Sequence, residues 1–267
     1  VLLTEDIDLS GVKNQKAAAV FGGVFDGQGH VIKGVSIETS QDNAGLFRFI
    51  KEEGVVKNLT VDIALKNDTG VNLGGIAGTN RGLIENCTVT GTVDGVDKVG
   101  GVVGQNLGTV RNTVNKAVIS GGKKVGGIAG TNSGVIKSCS NAGLINPEPN
   151  DVASDLGGIA GSSTGTLLDC LNTGDVGYQS TGYNVGGIAG RQSGYISECR
   201  NYGAIEGRKD VGGIAGQFEP NVSVVFGEDA IQQMKQQIDE MMGIVGELKG
   251  KIGPVADKLM ESLTKID

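Results

Sequence analysis

The sequence of 267 residues contains no tryptophan, one histidine and only four prolines. Its apolar runs fall far short of the roughly 20 residues that a membrane-spanning helix needs, so we predict no membrane insertion. Acidic residues outnumber basic ones, and the net charge of −7 argues against nucleic acid as a partner. No leader sequence precedes Val1, and we therefore expect a piece of a longer protein.

The motifs of common catalytic and metal sites are also missing. The sequence has no HExxH, GxSxG or CxxC motif, and no calcium-binding nonapeptide. The stretch GGKKVGG at 121–127 lacks the spacing of a phosphate-binding loop. His30 and Asp26 could form an acid–base pair, but the glycine-rich segment that holds them is better explained as a corner of the fold. We predict that the chain is not an enzyme and that it binds neither a cofactor nor a metal.

Glycine, with 47 residues, is the feature that the sequence has in excess. Hexapeptides of the type VGGIAG begin at residues 73, 99, 125, 156, 185 and 211, so their spacings are 26, 26, 31, 29 and 26. A flexible linker has no reason to keep such a period, whereas a period of about 20–50 residues is typical of solenoids. The glycines therefore belong to a repeated structural unit.

Each repeat offers three short apolar segments rich in Ile and Val, too short for helices and suited to strands. The step from Val56 to Leu59 and the step from Ile32 to Val35 repeat the same spacing earlier in the chain. The sequence predicts an all-β solenoid, a parallel β-helix of about seven three-stranded coils over residues 25–205. We favour a right-handed coil, because parallel crossovers have that hand.

Small and amide side chains recur at fixed places in the repeat. Gly127, Gly158 and Gly187 are each the second glycine of a hexapeptide, and we expect either a positive φ or close packing against the next coil. Two sets of asparagines align in successive repeats and predict hydrogen-bonded ladders. These sets are Asn80, Asn106 and Asn132, and Asn115, Asn141, Asn172 and Asn201.

Four cysteines stand in one column of the repeat. Cys139, Cys170 and Cys199 follow their hexapeptides by the same interval, as does Cys87, and Thr113 fills the equivalent place in the repeat between. Neighbouring coils would bring such residues within disulfide range. We favour a ladder of reduced interior thiols, since free cysteine behaves as a small hydrophobe. A disulfide remains the alternative.

Aromatic residues gather late in the repeat region. The insertions at 146–155 and 178–183 lengthen two coils at the same corner, and loops on one face of a solenoid often form its binding face. Tyrosine suits stacking on sugars or peptides, and arginine suits acidic groups. The candidate ligand-binding residues are Tyr178, Tyr183, Tyr195, Tyr202 and Arg200. Scattered loop aromatics are the alternative interpretation.

The sequence changes character after the last repeat. We assign residues 1–218 to the β-helix, with 1–24 as its N-terminal cap, and residues 219–267 to a helical tail. Apolar residues at heptad spacing, interrupted by glycines, predict two helices at about 228–250 and 254–266. The tail either packs on the solenoid as a cap or self-associates as a coiled coil.

The stretch VGGIAGTNSGVIKSCSNAGLI, from residue 125, closely resembles the GLUG motif, a repeat of bacterial surface proteins. The segments FDGQGHVIKGVSI, AGLFRFI and VVKNLTV resemble the lead-in of such domains, so the resemblance covers about 20–216. It implies a secreted or cell-wall-attached protein of the kind that includes adhesins and non-catalytic parts of metallopeptidases. It supplies no catalytic residues.

These observations favour a non-catalytic repeat domain of a bacterial surface or secreted protein, acting as an adhesion or spacer module. A glycan or a protein is the expected partner, outside the cell. The alternatives are a polysaccharide-active β-helix enzyme, either a lyase or a hydrolase, or a non-catalytic part of a secreted peptidase. Such an enzyme would need charged residues clustered on neighbouring coils, and fold alone does not decide between these functions.

Overall fold

A computed structural model describes residues 1–13, 15–219, 236, 240–243 and 253. The chain divides into two units, Val1–Asn221 and Val222–Asp267. The first unit is a parallel β-solenoid of about eight turns, which confirms the predicted fold class. The handedness and the domain boundary at 218 stay predictions.

The solenoid is built from 30 short strands. In chain order they are β1 (Ile7–Asp8), β2 (Ala18–Phe21), β3 (Val24–Asp26), β4 (Val31–Glu38), β5 (Phe47–Ile50), β6 (Val55–Lys57), β7 (Thr60–Lys66), β8 (Val71–Gly74), β9 (Ala77–Asn80), β10 (Leu83–Glu85), β11 (Thr88–Asp94), β12 (Asp97–Gly100), β13 (Val103–Asn106), β14 (Thr109–Arg111) and β15 (Val114–Asn115). The series continues with β16 (Val118–Ser120), β17 (Lys123–Gly126), β18 (Ala129–Asn132), β19 (Val135–Lys137), β20 (Ser140–Asn141), β21 (Ser154–Gly157), β22 (Ala160–Ser163), β23 (Thr166–Leu168), β24 (Leu171–Asn172), β25 (Tyr183–Gly186), β26 (Ala189–Gln192), β27 (Tyr195–Ser197), β28 (Arg200–Asn201), β29 (Lys209–Gly212) and β30 (Ala215–Phe218).

The strands stack into four parallel sheets, which we number in the order that a regular coil visits them. Sheet 1 contains β8, β12, β17, β21, β25 and β29, and sheet 2 contains β2, β5, β9, β13, β18, β22, β26 and β30. Sheet 3 contains β3, β6, β10, β14, β19, β23 and β27, and sheet 4 contains β1, β4, β7, β11, β15, β16, β20, β24 and β28. The motif repeats therefore pair with one another in register.

A regular coil has four strands where three were predicted. The additional corner lies inside the hexapeptide, because β8 ends at Gly74 and β9 begins at Ala77. The first turn also differs from its predicted alignment. Phe25 pairs with Val56 in sheet 3, whereas Ile32 belongs to sheet 4. The predicted equivalence of Ile32 and Val56 is therefore wrong, since Ile32 pairs with Val61.

The interior is filled by apolar side chains that repeat from coil to coil. Val99 of sheet 1, Ile128 at the corner of the hexapeptide, Ile136 of sheet 3 and Ile119 of sheet 4 are all fully buried. Because equivalent side chains stack on one another, each is removed from water, and the β-branched ones pack well on the pleated surface of the sheet. At the first turn, the rings of Phe21, Phe25 and Phe47 pack together, with centroids 5.0–6.3 Å apart.

Both predicted asparagine ladders are present. Asn80 donates to Asn106 at 2.9 Å, and Asn106 donates to Asn132 at 2.8 Å. The second ladder runs from Asn115 to Asn201, and its three bonds measure 2.7, 2.8 and 2.7 Å. Each amide also bonds a backbone carbonyl two residues ahead, so its donors are satisfied inside the solenoid.

Most of the positive φ angles belong to non-glycine residues, so a positive φ does not explain the hexapeptide glycines. Gly127, Gly158 and Gly187 are not in the left-handed region, and they serve the close-packing role instead. Two columns of non-glycine residues with positive φ, in the left-handed region, run along the solenoid. In each coil, one of these residues comes just before the buried apolar residue of sheet 1, and the other comes just before sheet 4. The first column is Asn43, Asn72, Lys98, Lys124, Asp155, Asn184 and Asp210, and the second is Gln28, Asn58, Asn86, Asn112, Ser138, Asp169 and Glu198.

The predicted tail lies mostly outside the described residues. Residues 236, 240–243 and 253 are helical, and among the described residues helix occurs nowhere else. The predicted helices at 228–250 and 254–266, and the choice between a cap and a coiled coil, stay predictions. In the part of the chain that the structure describes, no helix is long and apolar enough to cross a membrane.

Candidate functional site

The two insertions leave the solenoid at the same corner, between sheets 4 and 1. The chain leaves sheet 4 after the bridging residues Ile145 and Val176 and rejoins sheet 1 at β21 and β25. Pro147 of the first insertion and Tyr178 of the second line one cavity of about 230 Å³. The structure therefore brings together two loops that are 31 residues apart in sequence.

Tyr178 and Tyr183 flank the second insertion. Tyr178 lies in the loop, and its carbonyl oxygen accepts hydrogen bonds from Thr181, while Tyr183 begins β25. The two side chains are 39% and 36% exposed, so each presents part of its ring to solvent. The guanidinium carbon of Arg208 lies 5.9 Å from the Tyr183 ring centroid, a distance at which a cation is attracted to a ring face.

The other predicted site residues lie on different sheets. Tyr195 begins β27 of sheet 3, and it lines a shallow depression with Phe218. Arg200 lies in β28 of sheet 4, and Tyr202 follows that strand with 74% of its side chain exposed. The structure thus groups Tyr178 with Tyr183 and separates both from the remaining three. Ligand binding by these five residues stays a prediction.

A charged cluster beneath the insertion corner was not found by sequence reasoning. The buried carboxylate of Asp155 accepts a hydrogen bond from Asn184 at 2.7 Å and lies 3.4 Å from the Arg191 guanidinium. Arg191 also contacts Glu219 at 3.5 Å. The contacts tie β21, β25 and β26 together below Tyr183. The available signal was the Asn and Asp enrichment immediately before the apolar residue of each hexapeptide.

His30 does not pair with Asp26. Its Nδ1 atom lies 3.2 Å from Asp6, while Asp26 accepts a hydrogen bond from Asn58 and lies 3.6 Å from Lys57. The hydrogen bond from the Asn58 side chain, followed by that from the Gln28 amide, lowers the pKa of Asp26. A carboxylate held in this way stabilises a corner, so the structure favours the architectural explanation for FDGQGH.

The cysteines form a column of free thiols beside sheet 4. Cys87, Cys139 and Cys170 are buried, whereas Cys199 is half-buried near the last turn, so the expected interior position holds fully for three of the four. Burial raises the pKa of Cys87 and of Cys139 to about 12. Within the described residues, no group of three or more His, Cys, Asp or Glu side chains is arranged to hold a metal.

Comparison with known proteins identifies the repeat. The family model described as the GLUG motif matches residues 69–94, which run from the residues before β8 to the end of β11. Halomucin from Haloquadratum walsbyi, an archaeon, is 43% identical over 81 residues. That alignment covers 30% of this chain and 1% of Halomucin, so the chain spans a very small part of its relative. No solved structure matches significantly.

The family match and the solenoid fold identify the same repeated unit. GLUG repeats are in general non-catalytic, and the hexapeptide at 73–78 within the matched segment recurs along the solenoid. The absence of enzyme activity stays a prediction. Residues 69–94 are a GLUG motif, and they form one coil of a parallel β-solenoid whose later coils repeat the same glycines.

Proposed function

We propose that the chain is a non-catalytic repeat module of a surface protein, which holds binding loops on a stiff rod outside the cell. The observation that carries this proposal is the contrast between a regularly repeating interior and irregular loops. The interior repeats from coil to coil, whereas the two insertions depart from one corner and place Tyr178 beside Pro147. Such a division is typical of solenoids that bind through one face.

The rod itself suits a spacer. About eight turns stacked at about 4.8 Å give a length of roughly 40 Å, and the asparagine ladders join successive coils along that length. The similarity to a short part of Halomucin supports an extracellular surface protein. Because that relative is archaeal, the proposal extends to prokaryotic surface proteins in general and not only to bacterial ones.

The location is tested on intact cells of the source organism. Antibodies raised against the 267-residue chain should label the full-length protein without permeabilisation, and external protease should remove the signal. A cytoplasmic protein serves as the control that must stay unlabelled. Labelling that needs permeabilised cells would overturn the surface assignment.

The binding role is tested by a screen against glycans and extracellular proteins. If Tyr178 and Tyr183 are anchors, their double replacement by Ala should weaken the identified ligand by about 1–3 kcal/mol. Replacement of Phe218 by Ala is the control, because this exposed aromatic residue lies in β30 of sheet 2 and is not among the candidate ligand-binding residues. Undiminished binding by a double variant that melts normally would place adhesion elsewhere. Release of reducing sugar from a polysaccharide would instead support the rival enzyme function.

A further inference from the structure

A second cavity, of about 480 Å³, lies on the first turn of the solenoid. Its walls come from the residues that lead into β2, from the end of β4, and from the connection between β4 and β5. Its charged and amide side chains are Gln15, Lys16, Glu38, Gln41, Asn43 and Arg48. The volume falls within the range of about 300–1,000 Å³ that is typical of small-molecule sites.

The cavity holds two cations, Lys16 and Arg48, and one carboxylate, Glu38. Neither cation has an ion-pair partner among the described residues. In a chain with a net charge of −7, two unpaired cations against one carboxylate give this cavity a local excess of positive charge, which favours an anionic ligand.

Arg48 is held in place by the protein around it. Its Nη2 atom donates to the carbonyl oxygen of Asp42 at 3.2 Å, and its guanidinium carbon lies 5.8 Å from the Phe49 ring centroid. Its Nε atom is buried and has no hydrogen-bond partner among the described residues. A guanidinium positioned before a ligand arrives loses less conformational entropy on binding.

The wall that carries Lys16 is also fixed. The Gln15 amide nitrogen lies 3.0 Å from the carbonyl oxygens of Leu9 and Gly34, and its oxygen accepts from the Ser36 amide at 3.0 Å. This single side chain therefore joins the segment before β2 to β4. The wall that carries Lys16 is therefore tied to the β4 strand that forms the opposite part of the cavity.

Asn43 supplies a further donor. Its Oδ1 atom already accepts from the Asn72 amide at 3.1 Å and from the Thr79 hydroxyl at 2.7 Å. Its Nδ2 group has no hydrogen-bond partner among the described residues and is left as a donor. With two cations and an amide donor on one side and the Glu38 carboxylate as an acceptor, the cavity suits a ligand that combines a carboxylate with hydroxyl groups.

We propose that this cavity binds a carboxylated sugar of the uronic acid class. The sugar carboxylate pairs with Arg48 and Lys16, since a guanidinium can grip a carboxylate with two parallel hydrogen bonds. The hydroxyl groups bond to Asn43 and Glu38. This site is distinct from the tyrosines at the insertion corner, and it does not depend on where the protein is located.

The test is calorimetry of the 267-residue chain with D-glucuronate, D-glucose and acetate at low ionic strength. D-glucuronate should bind, and D-glucose and acetate should each bind at least about tenfold more weakly, because each lacks one half of the contacts. Arg48→Gln should weaken D-glucuronate by about tenfold or more. Arg81→Gln is the matched control, since Arg81 is an exposed arginine outside the cavity, and it should bind normally.

Comparison with a glucuronate-containing polysaccharide separates the two sources of the sugar. Tighter binding of the polymer assigns the site to a polysaccharide, and equal affinity assigns it to the free sugar; both results support the proposal. It is overturned if D-glucuronate does not bind, if acetate binds equally well, or if Arg48→Gln melts normally and keeps full affinity. Lys16→Gln provides a second variant, because this exposed side chain forms no ion pair with any described residue, and it should also weaken D-glucuronate. None of these results bears on surface exposure.

Discussion

The side-chain amide of Asn141 occupies the space beside Gly127 that a Cβ atom would need. A Cβ at Gly127 would also meet the carbonyl oxygen of Gly158 in the next coil, well inside van der Waals contact. The pairs Gly158–Asn172 and Gly187–Asn201 repeat this arrangement. The second glycine of the hexapeptide and the asparagine ladder are therefore two parts of one packing unit.

The first prediction follows from this contact. Gly127→Ala should lower the free energy of unfolding by about 1–3 kcal/mol, because the added methyl group forces backbone or ladder atoms to move. Gly213→Ala is the control, since the equivalent Cβ at the last hexapeptide meets no atom of the described residues within 4 Å. Chemical denaturation measures both. Equal stability of the two variants would show that the packing contact is unimportant.

The second prediction concerns the ladder. Asn141→Ala removes the acceptor of Asn115 and the donor to Asn172, leaving buried polar groups without partners. We expect a loss of about 2–4 kcal/mol, since each unsatisfied buried group costs about 1–3 kcal/mol. Asn201→Ala, at the half-buried end of the ladder, should cost less. A larger loss at Asn201 than at Asn141 would contradict the ladder's role.

The repeated interior could be predicted from sequence because, in a solenoid, residues one repeat apart in sequence stack on one another in neighbouring coils. The alignment of Asn115, Asn141 and Asn172 required only counting, and stacked coils then place the amides in contact. The fourth strand could not be found in this way. The bend at Gly75 and Ile76 divides an apolar segment without any change in composition.

The sites were less predictable, because they depend on the path of irregular segments. Tyr178 and Tyr202 are close in sequence, yet the chain crosses sheets 1, 2 and 3 between them. The first-turn cavity shows the opposite case. Lys16 and Arg48 are 32 residues apart in sequence, and no motif links them, but the first turn brings both to one cavity.

The third prediction concerns the column of residues with positive φ that comes just before the buried apolar residue of sheet 1. Lys124 has φ of 52°, at a position where Asn and Asp predominate in the other coils. Lys124→Asn should raise stability by about 0.5–1 kcal/mol, and Lys124→Val should lower it by about 1–2 kcal/mol, because β-branched residues tolerate this region poorly.

The neighbouring lysine provides the control for this prediction. Lys123 lies in the same strand and has no positive φ, so Lys123→Asn should be neutral or slightly destabilising. Melting temperatures of the three variants give the comparison. A gain from asparagine at Lys123 equal to that at Lys124 would show that backbone conformation is not the cause.

The last prediction concerns the thiols. Under denaturing, non-reducing conditions, mass measurement after alkylation should count four modified cysteines, since all four are free in the structure. In the folded protein Cys199 should react first, because it is only half-buried while the other three are buried. Fewer than four modified thiols in the denatured chain would instead indicate a disulfide.

The pH dependence of alkylation gives a sharper check. A hydrogen bond with the Cys170 thiol lowers the pKa of Cys199, and the same contact, followed by burial, raises the pKa of Cys170. The thiolate is the reactive form, so a lowered pKa moves the rise in rate to lower pH than the usual value of about 8.5. Cys170→Ala removes the hydrogen bond and should move the rise for Cys199 back toward higher pH. Cys87→Ala, four coils away in the column and with no contact to Cys199, should leave the profile unchanged, and a shift of the same size in both variants would exclude the thiol pair as its cause.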